Sequence, residues 1–172
     1  GIGRSYQRTT IFAEFSVLEN CRLAAQARAP RAWRIWEPAA RDAEGIAVAQ
    51  RALAAAGLDG DPKRVAATLS HGAKRQLEIA MCLATSPRAL LLDEPLAGMG
   101  AEETGRMLDL LVGLKDEHAI LLIEHDMDAV FKVADRITVM VNGQVIASDA
   151  PDKLLAFLFL GAIALLIAAG PL

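Results

Sequence analysis

Two short polar stretches of the chain contain the residue types that proteins use to hold phosphate groups and divalent cations. At positions 69–72 (LSHG), Ser70 and Gly72 open a predicted helix whose first backbone N–H groups could face an anion. Further on, Asp93 and Glu94 stand side by side after an apolar run. Asp93 could hold Mg²⁺ through water, and Glu94 could orient a water molecule for attack on a phosphate. Together the two stretches predict a nucleotide site in two pieces.

Two apolar runs must position these acids and a nearby histidine. Residues 89–92 (ALLL) are typical of a buried parallel strand that ends at the acid pair. Residues 119–123 (AILLI) predict a second, fully apolar strand that ends at Glu124 and His125. Since ligands bind at the C-terminal edge of such sheets, both runs would deliver polar side chains to one edge. Strands that alternate with helices predict an α/β fold with a parallel sheet.

Capping and stop signals predict two helices before the first polar stretch. Ser16 and Glu19 form a capping-box pattern, so a helix should run from there to about Ala29. Residues 41–56 have apolar side chains near helical spacing, and Gly57 is a natural stop.

The helix that opens at Ser70 has an apolar face, which we assign to the core: Leu77, Ala80, Met81 and Ala84. Its polar residues should point elsewhere: Lys74, Arg75 and Glu78. Residues 102–115 predict a further amphipathic helix, with acids in the first turn and a lysine in the last. An Asn-Gly pair between residues 136–141 and 144–148 is the strongest signal for a two-residue β-hairpin.

Residues 68–95 (TLSHGAKRQLEIAMCLATSPRALLLDEP) resemble the signature sequence and Walker B strand of ABC-type ATPases, and residues 124–127 (EHDM) resemble that family's switch-histidine segment. The surrounding sequence, over about residues 1–155, is similar to the ATP-binding subunits of branched-chain amino acid importers. The resemblance implies ATP and Mg²⁺ as cofactors. It also implies a partial ABC-type P-loop ATPase fold over residues 1–153, with a parallel sheet and a helical subdomain at about 16–86.

The resemblance implies how four polar residues act on a nucleotide bound to their own half. Gln7 resembles the Q-loop glutamine, which reaches the metal and the attacking water and senses the transmembrane partner. Asp93 would bind Mg²⁺ through water, Glu94 would be the catalytic carboxylate, and His125 would sense the γ-phosphate. A residue of each type alone is more often structural, so the assignment depends on their occurrence together.

Ser70 and Gly72 are implied to bind the γ-phosphate of an ATP held by the opposite subunit, which closes a head-to-tail dimer. The sequence departs from the family pattern nearby. Ala73 stands where many members have Gln or Glu, and His71 stands where others have Gly or Tyr. Residues 96–101 (LAGMGA) occupy the D-loop position without its usual aspartate. Without the other motifs, the LSHG stretch would be an ordinary helix cap.

The phosphate-loop motif Gly-x-x-x-x-Gly-Lys-Ser/Thr does not occur in this sequence, and no lysine follows a glycine. In the family, that loop and the aromatic residue that stacks on adenine lie upstream of the position of Gly1. We therefore expect the chain to begin in mid-domain, without the first strands of the sheet and the phosphate loop. On its own it should not bind ATP tightly.

Residues 154–172 (LLAFLFLGAIALLIAAGPL) are uncharged and approach the ~20 apolar residues that span a bilayer. Two interpretations are open: a membrane-spanning segment such as the start of a fused permease, or an apolar helix that folds back on the core. Lys153 on the near side favours a cytoplasmic ATPase portion. Trp33 and Trp36 lie in an irregular connection, where partial burial and a partner contact both remain open.

Composition limits the classes of partner. The chain has 18 Lys and Arg against 21 Asp and Glu, a formal charge of −3, so it lacks the broad basic surface expected for nucleic-acid binding. Cys21 and Cys82 are far apart, which suggests neither a disulfide framework nor a zinc site and fits a reducing setting. The predicted location is the cytoplasmic face of the inner or plasma membrane.

The sequence thus predicts the ATP-binding, ATP-hydrolysing subunit of an ABC importer for branched-chain or other hydrophobic amino acids. Its expected partners are membrane permease subunits, a second ATP-binding subunit and, indirectly, a substrate-binding protein. Two alternatives remain open. One is a non-catalytic module that docks on a permease or completes a partner's ATP site through Ser70 and Gly72. The other is a soluble ABC-type ATPase that acts on nucleic acid or ribosomes.

Overall fold

A computed structural model describes most of the 172-residue chain: residues 1–6, 10–28, 38 and 41–155. The chain divides into two compact units, Gly1–His125 and Asp126–Leu172. Three of the sequence interpretations lie outside the described residues: those for Gln7, for the two tryptophans and for most of residues 154–172. Those interpretations therefore remain predictions.

The first unit contains a parallel three-stranded sheet in the order β1-β2-β3. Its strands are β1 (Ile2–Arg4), β2 (Ala89–Asp93) and β3 (Ala119–Ile123). The central strand β2 is buried through Leu90 and Leu92, which are almost inaccessible to solvent. The predicted α/β fold with a parallel sheet is confirmed, and the strand that ends at the acid pair is its centre.

The neighbouring strand β3 is equally apolar but has one exposed face. Leu121 and Ile123 are 59% and 56% exposed, respectively. Within the described ranges, β2 is the only strand that pairs with β3. An apolar run therefore predicted the strand correctly, while its burial depends on what covers the sheet.

The described part of the first unit also contains four α-helices: α1 (Val17–Gln26), α2 (Ala43–Ala55), α3 (His71–Ala84) and α4 (Ala101–Leu114). All four were predicted, although α1 ends at Gln26 rather than near residue 29. Helices α1, α2 and α3 pack against one another. After α2, Gly57 has φ +70°, a left-handed conformation that glycine adopts readily, so it ends the helix as expected.

The predicted capping box at the start of α1 forms only in part. The Ser16 hydroxyl accepts a hydrogen bond from the Glu19 backbone N–H at 3.1 Å. The Glu19 carboxylate instead binds Arg22, whose Nε lies 2.8 Å from Glu19 Oε2. Hydrogen bonding to Arg22 lowers the pKa of Glu19, and partial desolvation opposes that effect. The glutamate thus stabilises α1 through an ion pair rather than through the N-cap backbone.

The two cysteines are free thiols that pack in the first unit. Burial raises the pKa of Cys21 to about 12 and the pKa of Cys82 to about 11. A thiol with such a pKa is almost entirely protonated near neutral pH, and the thiolate is the reactive form. These are therefore packing residues and not nucleophiles.

The second unit contains α5 (Met127–Val133) and an antiparallel hairpin of β4 (Ile137–Val141) and β5 (Gln144–Asp149). The two hairpin residues Asn142 and Gly143 have φ +49° and +78°. Positive φ at both positions is the requirement of a type I′ turn, so the predicted hairpin is confirmed. In the described part of the chain, no helix is both long and apolar enough to cross a membrane.

Candidate functional site

The carboxyl edge of the sheet brings together the acids and the histidine singled out in the sequence. Strands β2 and β3 run parallel, with Asp93 opposite Ile123. Residues that follow the two strands therefore emerge at the same edge. The Glu94 backbone N–H donates to the Ile123 carbonyl at 2.9 Å, which continues the pairing one step beyond β2. This hydrogen bond fixes the backbone position of Glu94 at the carboxyl edge of the sheet.

Glu94 has an unusual backbone conformation. Its φ is +46°, in the left-handed region that residues other than glycine rarely adopt. The Ala97 N–H donates to the Glu94 carbonyl at 3.2 Å and closes a turn around it. Such strain costs on the order of 1–3 kcal/mol and is concentrated at functional sites in proteins. The conformation is consistent with a functional role for the Glu94 side chain.

The His125 ring lies beside two carboxylates. Its Nδ1 is 3.9 Å from Glu94 Oε1 and 4.0 Å from Glu124 Oε2. The His125 side chain is 76% exposed and the Glu94 side chain 31% exposed. The structure therefore brings Glu94 and His125 together where solvent can reach both. A carboxylate can accept a proton from water here, and an imidazole can donate a hydrogen bond to an anion.

Glu124 is a site residue to which sequence reasoning assigned no role. Its side chain is only 1% exposed. One carboxylate oxygen accepts from the Leu96 N–H at 2.9 Å, and the other accepts from the His125 N–H at 3.3 Å. Glu124 thus holds the loop after Glu94 against the end of β3. The available signal was its position, the first residue after an apolar strand.

The second piece of the site is the N-terminus of α3. Ser70 is the N-cap, and its Oγ accepts from the Ala73 N–H at 3.2 Å. The same hydroxyl donates to Glu103 Oε1 at 2.9 Å. A Cβ built on Gly72 would lie 2.7 Å from the Glu103 carboxyl carbon. A carboxylate from α4 therefore covers both of the residues that the sequence assigned to phosphate.

His71 links the two pieces. Its Nε2 lies 3.0 Å from the carbonyl oxygen of Ala97, in the loop that follows Glu94. Gly98 in that loop has φ +75°, and a Cβ there would approach the His71 ring to 3.3 Å. The residue that replaces the family's usual Gly or Tyr thus connects the start of α3 to the loop after the acid pair.

Two residues of α3 differ from the sequence prediction. Arg75 and Glu78 were expected to point away from the core, yet their side chains are only 6% and 4% exposed. They form an ion pair at 2.9 Å. Arg75 Nη1 also donates to the Tyr6 carbonyl at 3.0 Å, and Glu78 Oε1 accepts from the Thr10 N–H at 2.7 Å. The two charged side chains can be buried because they pair with each other and form hydrogen bonds with these distant backbone groups.

This buried pair holds the chain on both sides of residues 7–9, the segment that includes Gln7. The predicted role of Gln7 as a metal ligand is untested, because that residue lies outside the described part of the chain.

The acids at the carboxyl edge suit a magnesium ion that is shared with a nucleotide. Mg²⁺ prefers oxygen ligands and is usually bound by one or two carboxylates together with substrate phosphates. Asp93 and Glu94 provide two adjacent carboxylates at the strand end. Among the described residues, no cluster of three or more His, Cys, Asp or Glu side chains could hold a metal by itself. A pair of carboxylates is the kind of donor set that phosphate oxygens and water would complete around Mg²⁺.

Comparison with known proteins identifies the family to which the chain is similar. Residues 1–97 match the family model described as ABC transporter. The chain is 36% identical over 161 residues to the high-affinity branched-chain amino acid transport ATP-binding protein LivG of Salmonella typhimurium. It is 38% identical over 162 residues to the corresponding protein BraF of Pseudomonas aeruginosa. The matches cover 90% of this chain but 63% of each relative's length.

The fold has a close counterpart among solved structures. The ADP conformation of MJ1267, an ATP-binding cassette of an ABC transporter, aligns with a TM-score of 0.76 and 28% sequence identity. The alignment covers 91% of this chain and 65% of that one. The similarity therefore extends over nearly all of the present chain, which spans about two thirds of its counterparts.

Proposed function

The chain belongs to the ABC transporter family, and from this membership we propose that it provides the ATP-binding and ATP-hydrolysing part of an importer for branched-chain or other hydrophobic amino acids. The observation that carries the proposal is the pairing of Glu94 with His125 at the carboxyl edge of a parallel sheet. The relatives named for branched-chain amino acid transport support the class of cargo.

Each residue at the carboxyl edge has a proposed task. Glu94 orients the attacking water and accepts its proton, from a position fixed by its hydrogen bond to β3. His125 donates a hydrogen bond to the terminal phosphate. Asp93, through water, and Gln7 would hold Mg²⁺ at this edge. When bound, Mg²⁺ neutralises the charge that develops on the transferred phosphoryl group.

Ser70 and Gly72 are proposed to act on a nucleotide held by a second ATP-binding subunit. The N-terminus of a 14-residue helix has backbone N–H groups without intrahelical carbonyl partners and a dipole that favours an anion. In this proposal two subunits associate head to tail, and each completes the other's site. A second copy of this chain or a homologous subunit could be the partner.

We also propose how the chain is organised in the transporter. Residues 1–153 belong to the ATP-binding domain, and the packed helices within about 16–86 form the helical subdomain that contacts a membrane permease. Residues 154–172 are the apolar C-terminal segment, for which a membrane span and a helix folded back on the core both stay open. The subunit would lie peripherally on the cytoplasmic face of the membrane and serve a substrate-binding protein indirectly, through the permease.

The proposal can be tested by leucine uptake in Salmonella typhimurium cells that lack LivG. The cells would carry a LivG chimera in which this chain replaces the aligned region of 161 residues. We expect the chimera to restore uptake and its Glu94→Gln variant to lose it. The matched control is Glu117→Gln, an exposed acid after α4, which should import like the parent chimera.

Two results would count against the proposal in different ways. A chimera that hydrolyses ATP but fails to restore leucine uptake would contradict the assigned transporter and leave the ATPase assignment standing. Uptake by the Glu94→Gln variant at the parental rate would contradict the catalytic role of Glu94.

A further inference from the structure

The Glu103 carboxylate occupies the N-terminus of α3 in a manner expected of a bound anion. Glu103 lies in the first turn of α4 and is half-buried. Its Oε1 accepts the Ser70 hydroxyl hydrogen bond at 2.9 Å. Ser70 in turn accepts from the Ala73 N–H at 3.2 Å, so the donor hydrogen of the hydroxyl is directed at the carboxylate. An acid from another helix therefore uses the donor that a phosphate would need.

Gly72 shows that the carboxylate is seated closely. A Cβ at this position would lie 2.7 Å from the Glu103 carboxyl carbon and 2.9 Å from its Oε1. Real Cβ atoms essentially never approach other atoms so closely, so a side chain at position 72 would displace the acid. The space left by the missing side chain is thus filled by Glu103.

Electrostatics explains why the Glu103 carboxylate lies at the N-terminus of α3 and why it would compete with a phosphate there. The first turn of a helix attracts anions through its unpaired N–H groups and its dipole. A carboxylate and a phosphate cannot both occupy that position, since like charges at contact distance repel strongly. Any phosphate that reaches Ser70 must therefore first displace Glu103.

We propose that Glu103 is an internal competitor for the phosphate site at Ser70 and Gly72, and that it sets the affinity of this site for a nucleotide's terminal phosphate. The inference rests on the proposed function, which assigns those two residues to phosphate. A polyphosphate has more charge and more acceptor oxygens than one carboxylate, so it can displace the acid where a weaker anion cannot. Glu103 therefore lowers the apparent affinity of the site for any anion, so that only highly charged phosphates bind appreciably.

The test is a titration of the full 172-residue chain with inorganic triphosphate at constant ionic strength. The amide signals of Gly72 and Ala73 report on the N-terminus of α3. Glu103→Gln removes the charge while it keeps the shape of the side chain, and we expect triphosphate to bind about three- to tenfold more tightly. The triphosphate-induced rise in the denaturation midpoint provides the same comparison independently.

The matched control is Glu102→Gln, which removes the same charge one residue away. The Glu102 side chain is 86% exposed and pairs with Arg106 at 2.7 Å, so it has no contact with Ser70 to release. We expect its affinity for triphosphate to stay within about 1.5-fold of the parent chain, because exposed charges are screened.

The outcomes separate the inference from the function on which it rests. Unchanged or weaker binding by Glu103→Gln, or equal tightening by both variants, would overturn the inference while parental binding at Gly72 still supports the proposed site. If triphosphate shifted the signals of Gly72 and Ala73 in no variant, the assignment of Ser70 and Gly72 to phosphate would be wrong, and the inference would fall with it.

Discussion

Helix α3 and the carboxyl edge of the sheet each place a carboxylate beside a nitrogen-containing side chain, but the first pair is buried and the second is accessible to solvent. On α3, Arg75 and Glu78 are 6% and 4% exposed and lie 2.9 Å apart. At the edge, His125 and Glu94 are 76% and 31% exposed and lie 3.9 Å apart. A desolvated charge is costly unless it is paired and hydrogen-bonded, so the α3 pair must keep its geometry. The edge pair can exchange its contacts for water or a nucleotide.

The difference indicates that buried and accessible charged groups have different roles in this chain. The α3 pair binds the backbone of Tyr6 and Thr10, so its fixed geometry holds the chain at those two residues. The edge pair meets solvent at the end of the central strand. Charges that hold the backbone are enclosed, and charges assigned to chemistry remain accessible. The predictions below test this contrast from the largest expected effect to the smallest.

The largest effect should come from Arg75→Met, which leaves the Glu78 carboxylate buried without its guanidinium. Loss of one partner of a buried pair costs about 3–5 kcal/mol, and we expect urea denaturation to show a decrease of that size. The matched control is Arg106→Met on α4, whose pair with Glu102 is exposed and should contribute no more than about 0.5 kcal/mol. An equal loss of stability in both variants would contradict the contrast between the buried and the exposed ion pair.

A double variant sharpens the same comparison. Arg75→Met with Glu78→Leu removes both charges, so no uncompensated ion remains in the core. Replacement of a buried pair by apolar residues of similar size is often neutral, and the double variant should recover much of the stability lost by Arg75→Met alone. Additive losses would instead mean that the two side chains act independently.

An intermediate effect is expected at Glu124, an enclosed acid at the otherwise accessible edge. Glu124→Ala leaves the Leu96 N–H without its carboxylate acceptor, so the free energy of unfolding should fall by about 1–3 kcal/mol. Thermal denaturation measures the change, with the exposed Asp116→Ala as control. A loss no larger than that of the control would show that the loop after Glu94 is held by other contacts.

The smallest effect should be a pH dependence from the Glu19–Arg22 pair on α1. The pKa of Glu19 is lowered in the folded chain, so its contribution is complete above the unfolded value of about 4.3 and is lost as the pH falls through the folded value. Between about pH 5 and pH 3 the parent chain should lose stability more steeply than Glu19→Gln. Parallel curves would contradict the pKa shift; Glu117→Gln, at an exposed site, should retain the parental slope.

The sequence predicted what depends on local pattern. The bounds of β2 follow from its apolar run, Ser70 starts α3 as an N-cap, and the Asn-Gly pair forms the hairpin turn. Contacts between distant segments could not be predicted. Polarity alone placed Arg75 and Glu78 outside the core, because the Tyr6 and Thr10 groups that satisfy them lie more than 60 residues away. The Glu103 contact with Ser70 spans 33 residues and has no local signature.

The central claim, that accessible charges at the carboxyl edge perform the chemistry, is tested most directly by ATP turnover per folded subunit in the Glu94→Gln form of the LivG chimera. The denaturation midpoint would be measured on the same sample. The account predicts that turnover falls at least about 100-fold while the midpoint stays unchanged, since an accessible side chain contributes little to stability. Turnover within twofold of the parent chimera, with Glu94 replaced, would contradict the account.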